Sequence, residues 1–247
     1  MNKIALVTGA AQGIGLAVAR RLALDGTTVL LCDVQVDAAE ARADELRIQG
    51  FDARAHELDT SDEAAVQQLA EWVHRDVGTV EILVNNAGIS GLVDGAAPLT
   101  YCSSLEQWNR VLGVNLTGVF LMCRAFAPGM IALGRGRIIN IASAAGRTFV
   151  PYAPAAYSAS KAALVPLTWK LADELGPHSI TVNCIAPGRI DTPMGATVIR
   201  KDDNLPRIPL RRAGTPDEIA GAVAHLASDE ASYTTGTVID VHGGLYM

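Results

Sequence analysis

Tyr157 and Lys161 stand four residues apart in the run Tyr-Ser-Ala-Ser-Lys, a spacing that places both on one face of a helix. A free tyrosine titrates near about 10, too high for efficient proton exchange at neutral pH. An ammonium one turn away favours the phenolate and lowers that value. The phenol then trades a proton with a substrate hydroxyl or carbonyl near neutrality. Ser143, upstream, carries a hydroxyl that donates a hydrogen bond to the same substrate oxygen. Asn115 falls inside a helical pattern, where asparagine is a modest liability. Its local bonding to backbone or water kinks a helix and holds a water chain. Taken alone, Tyr157 and Lys161 read equally as a surface pair of little energetic weight. The ordered set of Asn115, Ser143, Tyr157 and Lys161 argues for chemistry.

A second group lies near the start, in Thr8-Gly9-Ala10-Ala11-Gln12-Gly13-Ile14-Gly15. Gly9 and Gly13 let the backbone turn sharply and approach a pyrophosphate, with Gln12 and Ile14 at the entry of the following helix. The helix N-terminus offers N–H groups and a partial positive charge. Gly15 lets strand and helix pack closely. A tight turn without a ligand is the plainer reading of three glycines. Their place between an apolar strand and a helix is the context that the phosphate-binding reading requires. Asp33 ends the next apolar run, where a carboxylate accepts hydrogen bonds from ribose hydroxyls and repels a 2′-phosphate. Neither 10–14 nor 34–37 contains Arg or Lys. The pattern predicts NAD rather than NADP.

The elements that must position these residues follow from periodicity. Short apolar runs at 3–8, 28–32, 53–58, 82–84, 137–141, 180–185 and 237–241 read as strands. Between them lie helical patterns at 14–24, 38–48, 63–73, 105–126, 155–175 and 216–227, with Ser61 or Asp62 as the cap of the third. Such alternation predicts an α/β fold: a Rossmann-like, doubly wound parallel sheet of about seven strands with helices on both faces. The near-continuous apolar strands fit burial on both sides. The simplest parse of 1–247 is one domain for dinucleotide binding and catalysis, with substrate loops at 89–104, 144–156 and 189–212.

Composition excludes several classes. Hydrophobic residues make up 49% and charged residues 19%, so the chain as a whole is not disordered. The net charge is −6, which gives no whole-chain sign of a nucleic-acid partner. Cys32, Cys102, Cys123 and Cys184 are scattered and read as reduced, small buried hydrophobes. The five histidines form no zinc pattern, so no metal is expected. The first residues are too soon interrupted by Gly9 for a signal peptide, and no apolar run reaches the length of a membrane span. A cytoplasmic protein without a membrane partner is expected.

The G-x-x-x-G-x-G turn, the Asn-Ser-Tyr-Lys set, Asn85-Asn86-Ala87-Gly88 and Pro187-Gly188-Arg189-Ile190-Asp191-Thr192 together resemble the short-chain dehydrogenase/reductase family. The resemblance runs from Ile4 to Gly244. It implies Tyr157 as general acid/base, Lys161 holding the nicotinamide ribose, Ser143 positioning the substrate, and Asn115 anchoring a water in a proton relay. It further implies Asp59 and Thr60 near the adenine. Asn86, Ala87 and Gly88 would support the adenosine ribose and central sheet. Pro187, Gly188, Ile190 and Thr192 would line the nicotinamide end. Departures are two longer loops and His242, which stands where aspartate is more usual. Three activities follow as expectations. The first is NAD-dependent interconversion of a secondary alcohol (polyol, sugar or hydroxy acid) with its ketone. The second is reduction of 3-oxoacyl thioesters, which in this family usually draws on NADPH. The third is a non-catalytic NAD-binding sensor. The family also implies a homotetramer.

The substrate loops carry Arg147, Phe149 and Tyr152, with further basic residues from Arg189 to Arg212. One reading is that Arg147 or a loop arginine recognises an anionic group, since a guanidinium matches a carboxylate. The plainer reading is a solvated basic face.

Overall fold

The computed structural model describes residues 3–198 and 205–246. Among them, seven strands form one all-parallel sheet in the order β3-β2-β1-β4-β5-β6-β7. They are β1 (Ile4–Thr8), β2 (Thr28–Asp33), β3 (Ala53–Glu57), β4 (Ile82–Asn85), β5 (Gly136–Ile141), β6 (Ile180–Pro187) and β7 (Val238–Val241). The helices are α1 (Gly13–Leu24), α2 (Val36–Ile48), α3 (Glu63–Asp76), α4 (Leu105–Leu112), α5 (Gly118–Leu133), α6 (Ala155–Leu175), α7 (Pro193–Val198) and α8 (Pro216–Ala227).

Alternation along the buried strands divides the interior in two. Ala5 and Val7 of β1 face a core shared with Val18 and Leu22 of α1 and with Ile219 and Val223 of α8. Leu6, between them, faces the opposite core, with Leu69 of α3, Met122 and Phe126 of α5 and Leu164 of α6. Side chains on successive strand residues point to opposite faces, so an apolar strand needs a helical layer on each side. The strand order reverses direction between β1 and β4. In such sheets the crevice at the carboxyl ends of the strands beside that reversal is where ligands bind.

Local chemistry sets the helix ends. Asp62 caps α3, accepting from the Ala64 and Ala65 amides at 2.8 and 3.2 Å. Thr215 and Glu218 form a reciprocal capping box at the start of α8. The helical expectation that stopped at Phe126 is too short. α5 runs through Pro128 and ends where Gly134 turns left-handed, with φ 70°. Pro128 lacks an N–H, but it lies on the exposed side, and Phe126, Ala127 and Met130 hold the helix to the core. The rod from Leu105 to Leu133 is long and apolar enough, by length and composition, to cross a membrane. In the fold its inner face packs on the sheet.

Cys32, Cys123 and Cys184 are buried as expected, while Cys102 is exposed. Burial pushes the Cys123 thiol up to about 12 and the Cys184 thiol up to about 11. Cys184 also belongs to a buried polar chain that ties three strands to a helix. Asn85 Nδ2 donates to Asn140 Oδ1 (2.9 Å), Asn140 Nδ2 donates to Thr168 Oγ1 (2.9 Å), and Thr168 Oγ1 lies 3.0 Å from Cys184 Sγ. Replacing Thr168 with valine keeps the shape and leaves the Asn140 amide without its acceptor. The expected loss is about 1–3 kcal/mol. It should appear as a lower urea midpoint with an unchanged slope.

Candidate active site

Thr8 and Gly9, Asp33, Asn85, Ile141 and Pro187 lie at or just past the carboxyl ends of β1, β2, β4, β5 and β6. Gly9, Asp33, Ile141 and Pro187, with Asn86 just after Asn85, border a cavity of about 650 Å³. Such a volume suits a small molecule or cofactor.

At one end lies the glycine turn. Gly9 holds φ 65°, in the region that favours glycine. A side chain at Gly15 would sit 2.2 Å from the Gly9 carbonyl oxygen. Gly15 therefore belongs to strand–helix packing and, unlike the other predicted cofactor residues, does not line the cavity. Asn86 fastens the turn, its Nδ2 donating to the carbonyls of Thr8 (2.9 Å) and Gly9 (3.0 Å). Gln12 makes no side-chain cap at the start of α1, whereas α3, α4 and α8 are capped by Asp62, Ser104 and Thr215. The first N–H groups of α1 thus keep their capacity for an acceptor. This arrangement fits an anionic pyrophosphate.

Asp33 is buried beside that turn, its two oxygens accepting from the Ala11 and Gln35 amides, each at 3.0 Å. Gln12, Gly13, Ile14, Asp59, Thr60, Asn86, Ala87 and Gly88 line the same cavity, Gly88 close to Asn115 and Lys161. Asp59 accepts from the Ser61 amide (2.9 Å) and hydroxyl (2.6 Å). Pro187, Gly188, Ile190 and Thr192 also line the cavity, Thr192 standing beside Gly13 of the glycine turn.

The other end gathers Ser143, Tyr157 and Lys161. Ser143 Oγ accepts from the Ala145 amide at 3.1 Å, at the entry of a tight turn. Lys161 is buried and donates to the Ile141 carbonyl at 2.7 Å. Asn115 is fully buried in the middle of a π-turn, Gly113–Thr117, that joins α4 to α5. Its Oδ1 accepts from the Ile89 amide (2.8 Å), and its Nδ2 donates to the Ile89 carbonyl (3.0 Å) and to Ser160 Oγ (3.1 Å). Ser160 Oγ in turn donates to the Tyr157 carbonyl at 2.7 Å. Asn115 thereby ties the π-turn to the helix that carries Tyr157 and Lys161. Ser160 is a positioning residue that the sequence reading passed over, although it lies within the Tyr-Ser-Ala-Ser-Lys run.

The electrostatics correct one expectation. Burial pushes the Tyr157 phenol up, and the Ser143 hydrogen bond only partly offsets this. The Lys161 ammonium is engaged by the Ile141 carbonyl, and its predicted lowering of the phenol does not prevail. Burial moves Lys161 itself down, to about 8. Below about pH 8 both folded and unfolded chains carry the Lys161 proton, and burial opposes folding in full. Between about 8 and the ordinary value of 10.5, the folded chain has lost that proton and the unfolded chain has not. Stability therefore rises across this window. Relative to Lys161→Met, the wild type should gain about 1–3 kcal/mol between pH 7 and 10. Urea unfolding at each pH measures this, and parallel curves for the two proteins would refute it.

The substrate contacts are only partly as predicted. Tyr152 lines the cavity, but Arg147 and Phe149 do not. Arg147 pairs with Asp240 of β7 at 3.3 Å. Phe149 is exposed and borders a smaller side pocket. From the 89–104 loop only Ile89 and Ser90 reach the cavity. Arg200 and Lys201, two of the basic residues in the 189–212 loop, lie outside the described residues. His242 packs edge-on against Tyr246, its Nδ1 buried without a partner among the described residues. Tyr246 and Leu245 line the cavity and were missed. They follow the last glycines, where no periodic pattern marks them.

Residues 9–246 match the sequence family described as enoyl-(acyl carrier protein) reductase. The chain is 40% identical over 248 residues to 3-oxoacyl-[acyl-carrier-protein] reductase FabG of Aquifex aeolicus (strain VF5), across 99% of this chain and 98% of that one. It is 40% identical over 250 residues to FabG of Escherichia coli (strain K12), across 100% and 98%. A solved 3-oxoacyl-[acyl-carrier protein] reductase from Brucella melitensis, with bound NAD, matches with a TM-score of 0.92 at 39% identity, across 99% of this chain and 91% of that one.

Proposed function

The chain belongs to the short-chain dehydrogenase/reductase family and is an oxidoreductase, and from this we propose that it interconverts 3-oxoacyl and 3-hydroxyacyl thioesters using NAD(H). The observation that carries this reading is one cavity with Asp33 and the open helix end at one side and Ser143, Tyr157 and Lys161 at the other. When bound, the nicotinamide supplies or accepts the hydride. Tyr157 gives its hydroxyl proton to the carbonyl oxygen as that oxygen gains charge. Ser143 donates a second hydrogen bond to the same oxygen. Lys161, protonated at neutral pH and one helix turn from Tyr157, favours the phenolate that remains. Asn115 keeps the helix of Tyr157 and Lys161 in register. The raised phenol stays protonated at neutral pH, which suits proton donation to a ketone.

The apolar part of the lining favours a thioester over the polyol or sugar expected first. Ala145, Val150, Ala153, Met194 and Leu245 line the cavity together with polar groups such as Ser90, Tyr152 and Arg189. Polyol hydroxyls set against the apolar part would lose hydrogen bonds to water at a cost of about 1–3 kcal/mol per stranded group. An acyl chain would lose none. The similarity to 3-oxoacyl reductases supports the same choice. Asp33 supports NADH, since no basic side chain lines the wall around it among the described residues. Exposed Phe120, Leu133 and Trp169 on α5 and α6 support association of these helices, and the assembly we propose is a cytoplasmic homotetramer.

A panel read by NADH absorbance tests the assignment. A 3-oxoacyl thioester should be reduced with kcat/KM at least about 100-fold above that for oxidation of any polyol or sugar, and NADH should outperform NADPH. Turnover of a polyol alone would overturn it.

A further inference from the structure

Beside the main cavity lies a pocket of about 160 Å³ bordered by Phe149, Pro151, Tyr152, Arg207, Leu245 and Tyr246. Tyr152, Leu245 and Tyr246 also line the main cavity, so the two spaces share a wall. The side pocket combines an aromatic face, two phenol hydroxyls and one guanidinium. Burial and the neighbouring Tyr152 push the Tyr246 phenol up, while Arg207 pulls it down. Arg147, the arginine singled out from sequence, is turned toward Asp240. Arg207 is the one that borders this pocket.

Resting on the thioester reading above, we propose that this pocket receives the far end of the acyl group, and that Arg207, Tyr152 and Tyr246 select a chain ending in a carboxylate. Size argues for the far end. A carrier on the sulfur side is bulky and must leave through open solvent. The pocket has room for about five water-sized groups, enough for a chain end and nothing larger. Chemistry argues for the carboxylate. A planar guanidinium takes both oxygens of a carboxylate, and phenol hydroxyls supply further donors. The side of Phe149 covers the methylenes that precede it. Selection by Arg207 gives the basic 189–212 loop a function apart from solvation.

The experiment uses two 3-oxoacyl thioesters of equal chain length, one ending in a methyl group and one in a carboxylate. They are reduced by the wild type, Arg207→Met and Tyr246→Phe. Arg207→Met is expected to lower kcat/KM about tenfold on the carboxylate-ended thioester, the low end for a charged hydrogen bond at a partly open site. The loss should fall on KM. The methyl-ended thioester should change less than about twofold, and Tyr246→Phe should show a smaller loss of the same selectivity. Equal effects on both thioesters, or no effect on either, would overturn the inference alone. Failure of the wild type to reduce either thioester would overturn the function on which it rests.

Discussion

Tyr157→Phe is expected to lower kcat for the thioester about 10³-fold, within the range that general acid–base catalysis contributes. Only the phenol oxygen is lost. The ring keeps its place on α6, and the Ser160 hydroxyl still donates to the residue 157 carbonyl. Cofactor affinity, followed by quenching of protein fluorescence, should stay within about threefold, because the glycine turn and Asp33 are untouched. Melting temperature should not fall, since the buried phenol loses no partner other than Ser143. If the variant retained more than a tenth of the wild-type rate, Tyr157 would not be the proton donor. If NADH binding collapsed with the rate, the residue would be serving the cofactor.

Asp33→Ala should alter cofactor choice. A charged hydrogen bond to a ribose hydroxyl is worth about 1.5–3 kcal/mol, so kcat/KM with NADH should fall about 10- to 100-fold. Loss of the carboxylate also removes its repulsion of a 2′-phosphate, and the value with NADPH should hold or rise. The substitution takes the Ala11 and Gln35 amides' acceptor as well. A drop in stability of about 1–3 kcal/mol is therefore expected, and the assays belong well below the variant's melting temperature. Equal losses with both cofactors would mean that Asp33 serves only to shape the turn.

Much of this arrangement was legible before any coordinates. Strand and helix positions followed from periodicity, because the inner strands are buried on both faces while the edge strands β3 and β7 are only half-buried. The bounds of α6 and α8 match expectation to the residue. What escaped depended on distant partners. Arg147 meets Asp240 from 93 residues away, and no local pattern links them. The spacing of Tyr157 and Lys161 placed them on one helix face, but it could not show that Ile141 of β5 takes the ammonium. The helical pattern read as ending at Phe126 continues past Pro128, whose place on the outer side depends on how α5 meets the sheet. Asn115 was noticed as an oddity in a helix. Its bonds to Ile89 and Ser160 required loops and helices already assembled.

The π-turn Gly113–Thr117 carries one more residue than a regular turn of α-helix. The rod from Leu105 to Leu133 is therefore a helix with an extra count in it. Removing a single residue between 113 and 117 would restore regular winding and leave composition almost unchanged. It would also rotate one half of the rod against the other by about 100°. Met122, Phe126 and Met130 could then face the sheet only if Val111 turned away from it. The fold is thus more sensitive here to the number of residues than to their identity. A one-residue deletion should harm the protein more than any single conservative substitution in the same turn.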